Sequence, residues 1–282
     1  MNRKKFLIST HGFDMGIGGL KVLHRLCHLL NERGEDAYLI PVDFNQTFGV
    51  YEHYNTKMVT QEILDNLEDV IVVYPESWFG NYLNAPNVVR WMIGYPSEDH
   101  VKTWNPKDLW FWFIPFYITE KYNKDNDNIL CIVEQHKDIF YDRKKERSGS
   151  CWSLRKAQDY IKPSQFIHPE DSTFIPYHAA GDLVGLSNLF NSKDIFYCYD
   201  NYTYISIQSL MCNTDTIIIP HNKTKEEFFK GYELNKYLAY GIDDLPRAKS
   251  LRSEFFEASN KIEETTLKQL DTFIEKCYAY FK

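Results

Sequence analysis

Several things are scarce in this sequence. Of its six cysteines, Cys27, Cys131, Cys151, Cys198, Cys212 and Cys277, no two form a CxxC pair or a zinc-type spacing. That argues against a metal knuckle or a dithiol redox motif, and the six read as reduced core thiols of a cytosolic protein. Long apolar runs are missing too. The most apolar stretch, LWFWFIPFYI, covers only 109–118, whereas a membrane span needs about 20 such residues. It reads as a buried strand with an edge, an interfacial patch being the alternative. The basic start MNRKKFLIST lacks the apolar region of a signal peptide. The expected location is therefore cytoplasmic, with peripheral contact at the inner face of the membrane as the remaining membrane role. Positive charge is in short supply: 32 Lys and Arg against 39 Asp and Glu leave a net charge of -7. That argues against a non-specific nucleic-acid binder, whose affinity rests on an excess of cations, and leaves a local basic groove open. The dinucleotide fingerprint GxGxxG is also absent.

Apolar residues make up 44% of the 282, enough for a sizeable core and too many for a disordered chain. The length suits one large domain or two small ones. Tyrosine (20) and phenylalanine (19) are abundant, reflecting either base composition or a site that stacks rings on sugars or bases.

KKFLIST reads as a first strand, HGFDMGIGG as a loop, and LKVLHRLCHLLNERG as a helix. That helix puts Leu20, Leu23, Leu26, Cys27 and Leu30 on one face, with Gly34 as its stop. EDAYLIPV is the next strand. A strand, Gly-rich turn, helix and strand in this order form a βαβ unit and imply a parallel sheet. DVIVVYPE and NVVRWMIG are strands dense in Val and Ile, as strands buried on both faces are. Polar composition between Glu120 and Ser150 marks a boundary region. Beyond it CWSLRK, QFIHP, DIFYCYD and TIIIP are strand candidates and AGDLVGLSNLF a helix. The tail from Arg247 is helical in period, with a break near 257–261. The predicted class is α/β. A domain at 1–115 is followed by one at 116–259, and a terminal helix, 260–282, is a candidate to pack back on the first. Ligands in parallel sheets sit outside the carboxyl ends of the strands, where loops 11–19 and 199–203 are predicted to lie.

In the first half, Gly18 and Gly19 open a helix and let a phosphate or ligand oxygen approach its first amides. A tight turn without a ligand is the plainer reading. His11 and Asp14 share that loop, and Glu76 ends a strand. Each is a candidate base for an acceptor hydroxyl, set against incidental loop and capping roles. In the second half, Arg155 and Lys156 are adjacent cations at a strand end and suit a diphosphate, or else form a solvated surface pair. In YDNYTYISIQSLMCN, a helix predicted from near Tyr202 places Thr203 and its first amides for a phosphate. Gln208 is two turns in and directed back at a ribose, Asp200 touches the transferred sugar, and Asn213 ends the helix in left-handed geometry. Asp200 or Thr203 acting only as a cap is the alternative.

Together these residues resemble a GT-B glycosyltransferase. GGLKVLHRLCHLLNERGEDAYLI resembles the first-domain pattern of that family, Asp200-x7-Gln208 a degenerate form of its E-x7-E motif, and Arg155-Lys156 its diphosphate-holding pair. More narrowly, YPE with VVRW, GSCWSLRK, CYDNYTYISIQSLMC and LAYGIDDLPRAK resemble segments of short bacterial capsule and lipopolysaccharide transferases. The resemblance implies two Rossmann-like domains facing across a cleft. The second would bind a nucleotide-diphosphate sugar and the first an acceptor glycan or its lipid-linked precursor. It implies no metal; DNDN at 125–128, which has the form of a DxD triplet, and YDN at Asp200 are superficial relatives. Both acidic positions of E-x7-E are changed, so the resemblance does not say whether the anomeric configuration inverts. A sugar-nucleotide epimerase or dehydrogenase and an inactive glycan or nucleotide-sugar binding module remain as alternatives.

Overall fold

The computed structural model describes residues 3–282. The chain divides into two compact units. The first runs to Val133 and takes up Glu263–Lys282, and the second is Glu134–Ile262.

The first unit is built on a six-stranded parallel sheet of β1 (Lys5–Thr10), β2 (Ala37–Pro41), β3 (Lys57–Met58), β4 (Val70–Pro75), β5 (Asn87–Met92) and β6 (Leu109–Trp112). Its order is β3-β2-β1-β4-β5-β6. All six residues of β4 and all four of β6 are buried. The apolar run 109–118 is thus core at its strand end, as its composition predicts. Between β1 and β2 lies α1 (Gly18–Glu32), which buries Leu23, Leu26, Cys27, Leu29 and Leu30. Gly34, at φ +78°, ends the helix in a conformation that costs glycine nothing. Two short helices, α2 (Gln61–Leu64) and α3 (Glu98–Val101), lie in the connections beyond. The first unit continues past β6 because the backbone at 128–130 joins it. Trp112 N donates to Asn128 O and Leu130 N to Trp112 O, both at 2.8 Å, and Trp91 Nε1 donates to Leu130 O at 3.1 Å. The unit therefore ends beyond the predicted 115/116 division. A polar surface on 120–128 hides an edge pairing that composition does not reveal.

The second unit holds a parallel sheet of β7 (Ser150–Ser153), β8 (Thr173–Phe174), β9 (Ile195–Cys198), β10 (Asp215–Ile218) and β11 (Ala239–Tyr240), in the order β11-β10-β9-β7-β8. Its helices are α4 (Leu183–Ser192), α5 (Ile205–Met211), α6 (Lys225–Gly231), α7 (Leu245–Ser250) and α8 (Arg252–Asn260). Asp182 caps α4 by accepting from Gly185 N at 2.8 Å, and a Thr224–Glu227 capping box starts α6. QFIHP is not a strand. It is a 3-10 turn at Pro163–Gln165 and a loop, the strand coming later at β8. Pro163 and Pro169 offer no ladder amide, and Ile167 N donates to the Tyr199 hydroxyl at 2.8 Å instead.

The tail breaks at Lys261, and α9 (Ile262–Tyr280) lies in the first unit. Phe273 packs against Phe6 and Phe111, with ring centroids 5.8 and 4.8 Å away. Both oxygens of the Glu263 carboxylate accept from Arg25 Nη2, at 3.0 and 2.8 Å. All six cysteines are free and buried. No helix among the described residues is long and apolar enough to cross a membrane.

Candidate functional site

The order of each sheet selects a place on its carboxyl edge. In the first unit the chain builds outward from β1 through β2 to β3, then returns to lay β4 on the other side of β1. Neighbouring loops diverge at such a reversal and leave a crevice where ligands bind. The first switch point lies between β1 and β4. The second sheet, read from β8, runs β8-β7-β9-β10-β11, so its switch point lies between β7 and β9.

At the first switch point, Ile8 pairs with Val73. Three residues further on, His11 and Glu76 leave the two strands side by side. The exposed His11 ring lies 5.4 Å from that of Trp78. Its carbonyl accepts from His24 Nε2 at 2.9 Å and from Thr10 Oγ1 at 3.0 Å. His24 is fully buried in α1, and burial holds its pKa below the ordinary value, so it is a neutral donor bracing the loop. Asp14 folds back on its own loop, accepting from Gly16 N at 2.7 Å. Gly18 has open space where a side chain would be, while a Cβ on Gly19 would come within 3.2 Å of Ile93 Cδ1. No side chain caps α1, and its first turn holds no acid.

Glu76 is half-buried, where His11 and Asp14 are exposed. Its Oε2 accepts from Ile93 N at 3.0 Å. A Cβ at position 94 would meet its Oε1 at 2.6 Å, so Gly94 leaves room for the carboxylate. Burial raises the Glu76 pKa above the ordinary value, against the backbone amides that favour its charge. Sequence reasoning placed Glu76 but missed what holds its loop. The buried Arg90, on β5, donates to Asp108 at 2.8 Å and to the Gly80 carbonyl. The Tyr74 and Trp104 rings cover its guanidinium at 4.9 and 5.0 Å.

At the second switch point, Asp200 is 2% exposed. It accepts from Arg155 N at 3.0 Å, Lys156 N at 2.6 Å and Ala157 N at 3.0 Å. These bonds commit the carboxylate to the turn after β7. Asp200 thereby positions the backbone on which Arg155 and Lys156 stand. Arg155 and Lys156 project from this turn, and among the described residues neither makes a salt bridge. The Arg155 guanidinium stacks 4.3 Å from the Tyr177 ring centroid, and its Nε is buried with no hydrogen-bond partner. Lys156 is exposed at the surface, and neighbouring protein atoms still lower its pKa by desolvation, with Asp200 opposing and Arg155 adding to the effect.

The helix after β9 begins at Ile205, later than the sequence predicts, with Tyr204 as its N-cap and no side-chain cap. Thr203 is half-buried, and its carbonyl takes Ser206 N and Oγ. Tyr202 is half-buried beside it. Gln208 is 3% exposed within α5. Asn213 closes the helix at φ +64°, as its side-chain type predicts. Its amide donates to Asp142 and accepts from Arg252.

The geometry thus assembles Arg155, Lys156, Asp200, Tyr202 and Thr203 around one turn, and His11, Asp14, Glu76, Gly18 and Gly19 around another. Tyr177, His221 and Asn201 were not singled out from sequence, because nothing local marks them. Among the described residues no group of three or more His, Cys, Asp or Glu is arranged to hold a metal ion.

No protein-family model matches the chain, and no curated protein matches it. Among solved structures, a variant of the wall teichoic acid polymerase TagF is similar to it, with a TM-score of 0.44 and 11% identity over 97% of this chain and 89% of that one.

Proposed function

We propose that this chain is a glycosyltransferase of the GT-B plan, with a nucleotide-diphosphate sugar on the second unit and an acceptor hydroxyl on the first. One observation carries the reading. At the switch point of the second sheet, two cations without salt-bridge partners stand on a turn held by a buried carboxylate. A doubly charged diphosphate is the ligand such a turn suits. In the reaction the acceptor oxygen attacks the anomeric carbon, and the bond from that carbon to the diphosphate oxygen breaks. The electron pair leaves with the diphosphate. Arg155 and Lys156 are aimed where that charge grows, which is where preorganised cations lower a barrier most. Thr203 adds a hydroxyl donor to the diphosphate, and Gln208 offers its amide to a ribose. Gly18 and Gly19 give a ligand oxygen access to the start of α1. In an inverting reaction Glu76 takes the acceptor proton. Its raised pKa suits that task better than an ordinary exposed carboxylate would, and Asp14 and His11 stand next in rank. The reading requires no metal. It extends to a surface-glycan or lipid-linked acceptor, such as a capsule or lipopolysaccharide precursor, and to a cytoplasmic site of action.

Two variants test it. A charge-assisted contact contributes roughly 1.5–3 kcal/mol, so Arg155→Ala weakens nucleoside diphosphate binding by about tenfold or more. Glu76→Gln lowers turnover by about 10²–10⁴-fold and leaves that binding nearly unchanged. Calorimetry showing full affinity in Arg155→Ala removes the donor site. Unchanged turnover in Glu76→Gln, Asp14→Asn and His11→Ala favours a retaining mechanism in which the leaving diphosphate takes the proton. Tight nucleotide-sugar binding with no transfer or hydrolysis points to a binding module.

A further inference from the structure

Residues 42–56 connect β2 to β3 and pack on the β1–α1 loop as a strap. Its ends are fixed to the sheet: Val42 N donates to the Thr10 carbonyl at 3.2 Å, and Val59 N to that of Leu39 at 3.0 Å. Between them the Gly49 carbonyl accepts from Phe13 N at 2.8 Å. The two backbones come so close that a Cβ on Gly12 would lie 2.8 Å from Gly49 N. The Tyr51 ring stacks on that of Phe13, with centroids 4.8 Å and planes 7° apart.

Two histidines one turn apart on α1 hold this strap. His24, fully buried, stacks on Phe48 with centroids 5.5 Å and planes 18° apart, and Phe13 stands edge-on to it at 5.4 Å. Its Nε2 donates to the His11 carbonyl, and its Nδ1 is buried with no hydrogen-bond partner. His28, half-buried, stacks on Tyr54 at 4.9 Å, and its Nδ1 accepts from Asn55 N at 3.0 Å. Both rings fit this arrangement as neutral imidazoles. A proton on His24 Nδ1 adds a buried charge and a donor without an acceptor, which is costly. A proton on His28 Nδ1 sets one N–H against another. Burial also holds the His24 pKa below its ordinary value, against the His11 carbonyl bond that raises it. The surrounding carboxylates are engaged by other groups. Asp14 accepts from Gly16 N at 2.7 Å, Asp43 from Asn45 N at 2.8 Å and Glu32 from Asn55 Nδ2 at 3.0 Å, while Glu52 lies 3.7 Å from His53. Lys21, one turn before His24, and Lys57, at the start of β3, add positive charge to the same elements and oppose more of it.

We infer that residues 43–54 form a pH-sensitive strap, seated on the β1–α1 loop while His24 and His28 are neutral and lifted from it when they are protonated. Lifting is the smallest opening that gives the His24 ring water, because Phe48 belongs to the strap and Phe13 is held by it. Asn55 stays anchored, since Asn31 Nδ2 donates to its carbonyl at 3.0 Å and neither group titrates. The loop under the strap carries His11 and Asp14, so acidification releases both from a fixed backbone. That consequence for transfer rests on the reading above; the strap itself does not.

Hydrogen exchange on the full-length protein at pH 7.5 and 5.5, corrected for the intrinsic effect of pH, reads the strap directly. With a pKa of about 6.5 in the lifted state, each histidine raises the lifted population by up to about tenfold over that interval. Protection across 11–17 and 43–56 is expected to fall about tenfold or more, and that of 70–75, in the buried β4, to hold. His24→Gln keeps a donor for the His11 carbonyl, His28→Asn keeps an acceptor for Asn55 N, and neither replacement titrates. The double variant is expected to keep its protection at pH 5.5. Gly12→Ala, whose Cβ collides with Gly49, is expected to leave the strap unprotected at both pH values. If the double variant does not fold, wild-type protein and Gly12→Ala decide. Equal wild-type protection at both pH values overturns the inference. So does a parallel loss in 70–75, which is unfolding of the sheet, or an undiminished fall in the double variant. A strap that titrates in a protein that neither binds nor turns over any nucleotide sugar stands, and the transferase reading falls.

Discussion

Asp200 shows how a residue's type can be read from sequence while its partners cannot. An acid next to a helix start, eight positions before Gln208, is compatible with touching a sugar, capping a helix or bracing a turn. The fold chooses the third, because β7 and β9 are neighbours and Asp200 leaves β9 beside the amides of 155–157. The consequence is measurable. Asp200→Ala strands three buried or half-buried N–H groups and costs at least about 3 kcal/mol of stability. It also weakens nucleoside diphosphate binding, since Arg155 and Lys156 lose their footing. Denaturant unfolding and calorimetry on the same variant decide the point. A sugar-contacting role would lower activity with stability intact.

At the scale of elements, the β1–α1 connection depends on a histidine that must stay neutral. His24 is buried in α1, stacks on Phe48 at 5.5 Å and donates to the His11 carbonyl. Its folded pKa lies below its unfolded value of 6.5. Its contribution to stability is therefore present above pH 6.5 and is lost as pH falls through the lower folded value. Relative to His24→Gln, wild-type protein loses melting temperature as pH drops from 7.5 to 5. Parallel slopes for the two proteins would show that this histidine does not titrate with unfolding. Glu76 runs the other way. Its folded pKa is raised above 4.5, so its contribution is present below pH 4.5 and fades as pH rises through the folded value.

At the scale of the molecule, the first unit takes its last helix from the far end of the chain. Phe273 is fully buried between Phe6 and Phe111. A Phe→Ala change in such a core costs about 3–5 kcal/mol. Phe273→Ala is expected to lower the unfolding transition of the first unit, while nucleoside diphosphate binding persists at low temperature because the residues proposed for it lie in Glu134–Ile262. Loss of both together would mean that the units unfold as one.

By itself the sequence determined most of the local structure. Apolar density in 70–75 and 109–112, the 3.6-residue stripe of 18–32, the Gly34 stop and the left-handed Asn213 follow from side-chain shape and backbone freedom, which are local properties. It also determined the residues worth examining at the strand ends, since Glu76, Arg155 and Lys156 each follow an unmistakable strand. The order of the strands was decided only by tertiary structure. Periodicity does not say that β4 returns beside β1 or β9 beside β7, and those returns create both switch points. Partners distant in the chain belong to the same category: Asp200 with the 155–157 amides, Tyr177 over Arg155, and Tyr160 facing His221. Each needs two loops brought to one edge of a sheet, and no window of sequence contains both.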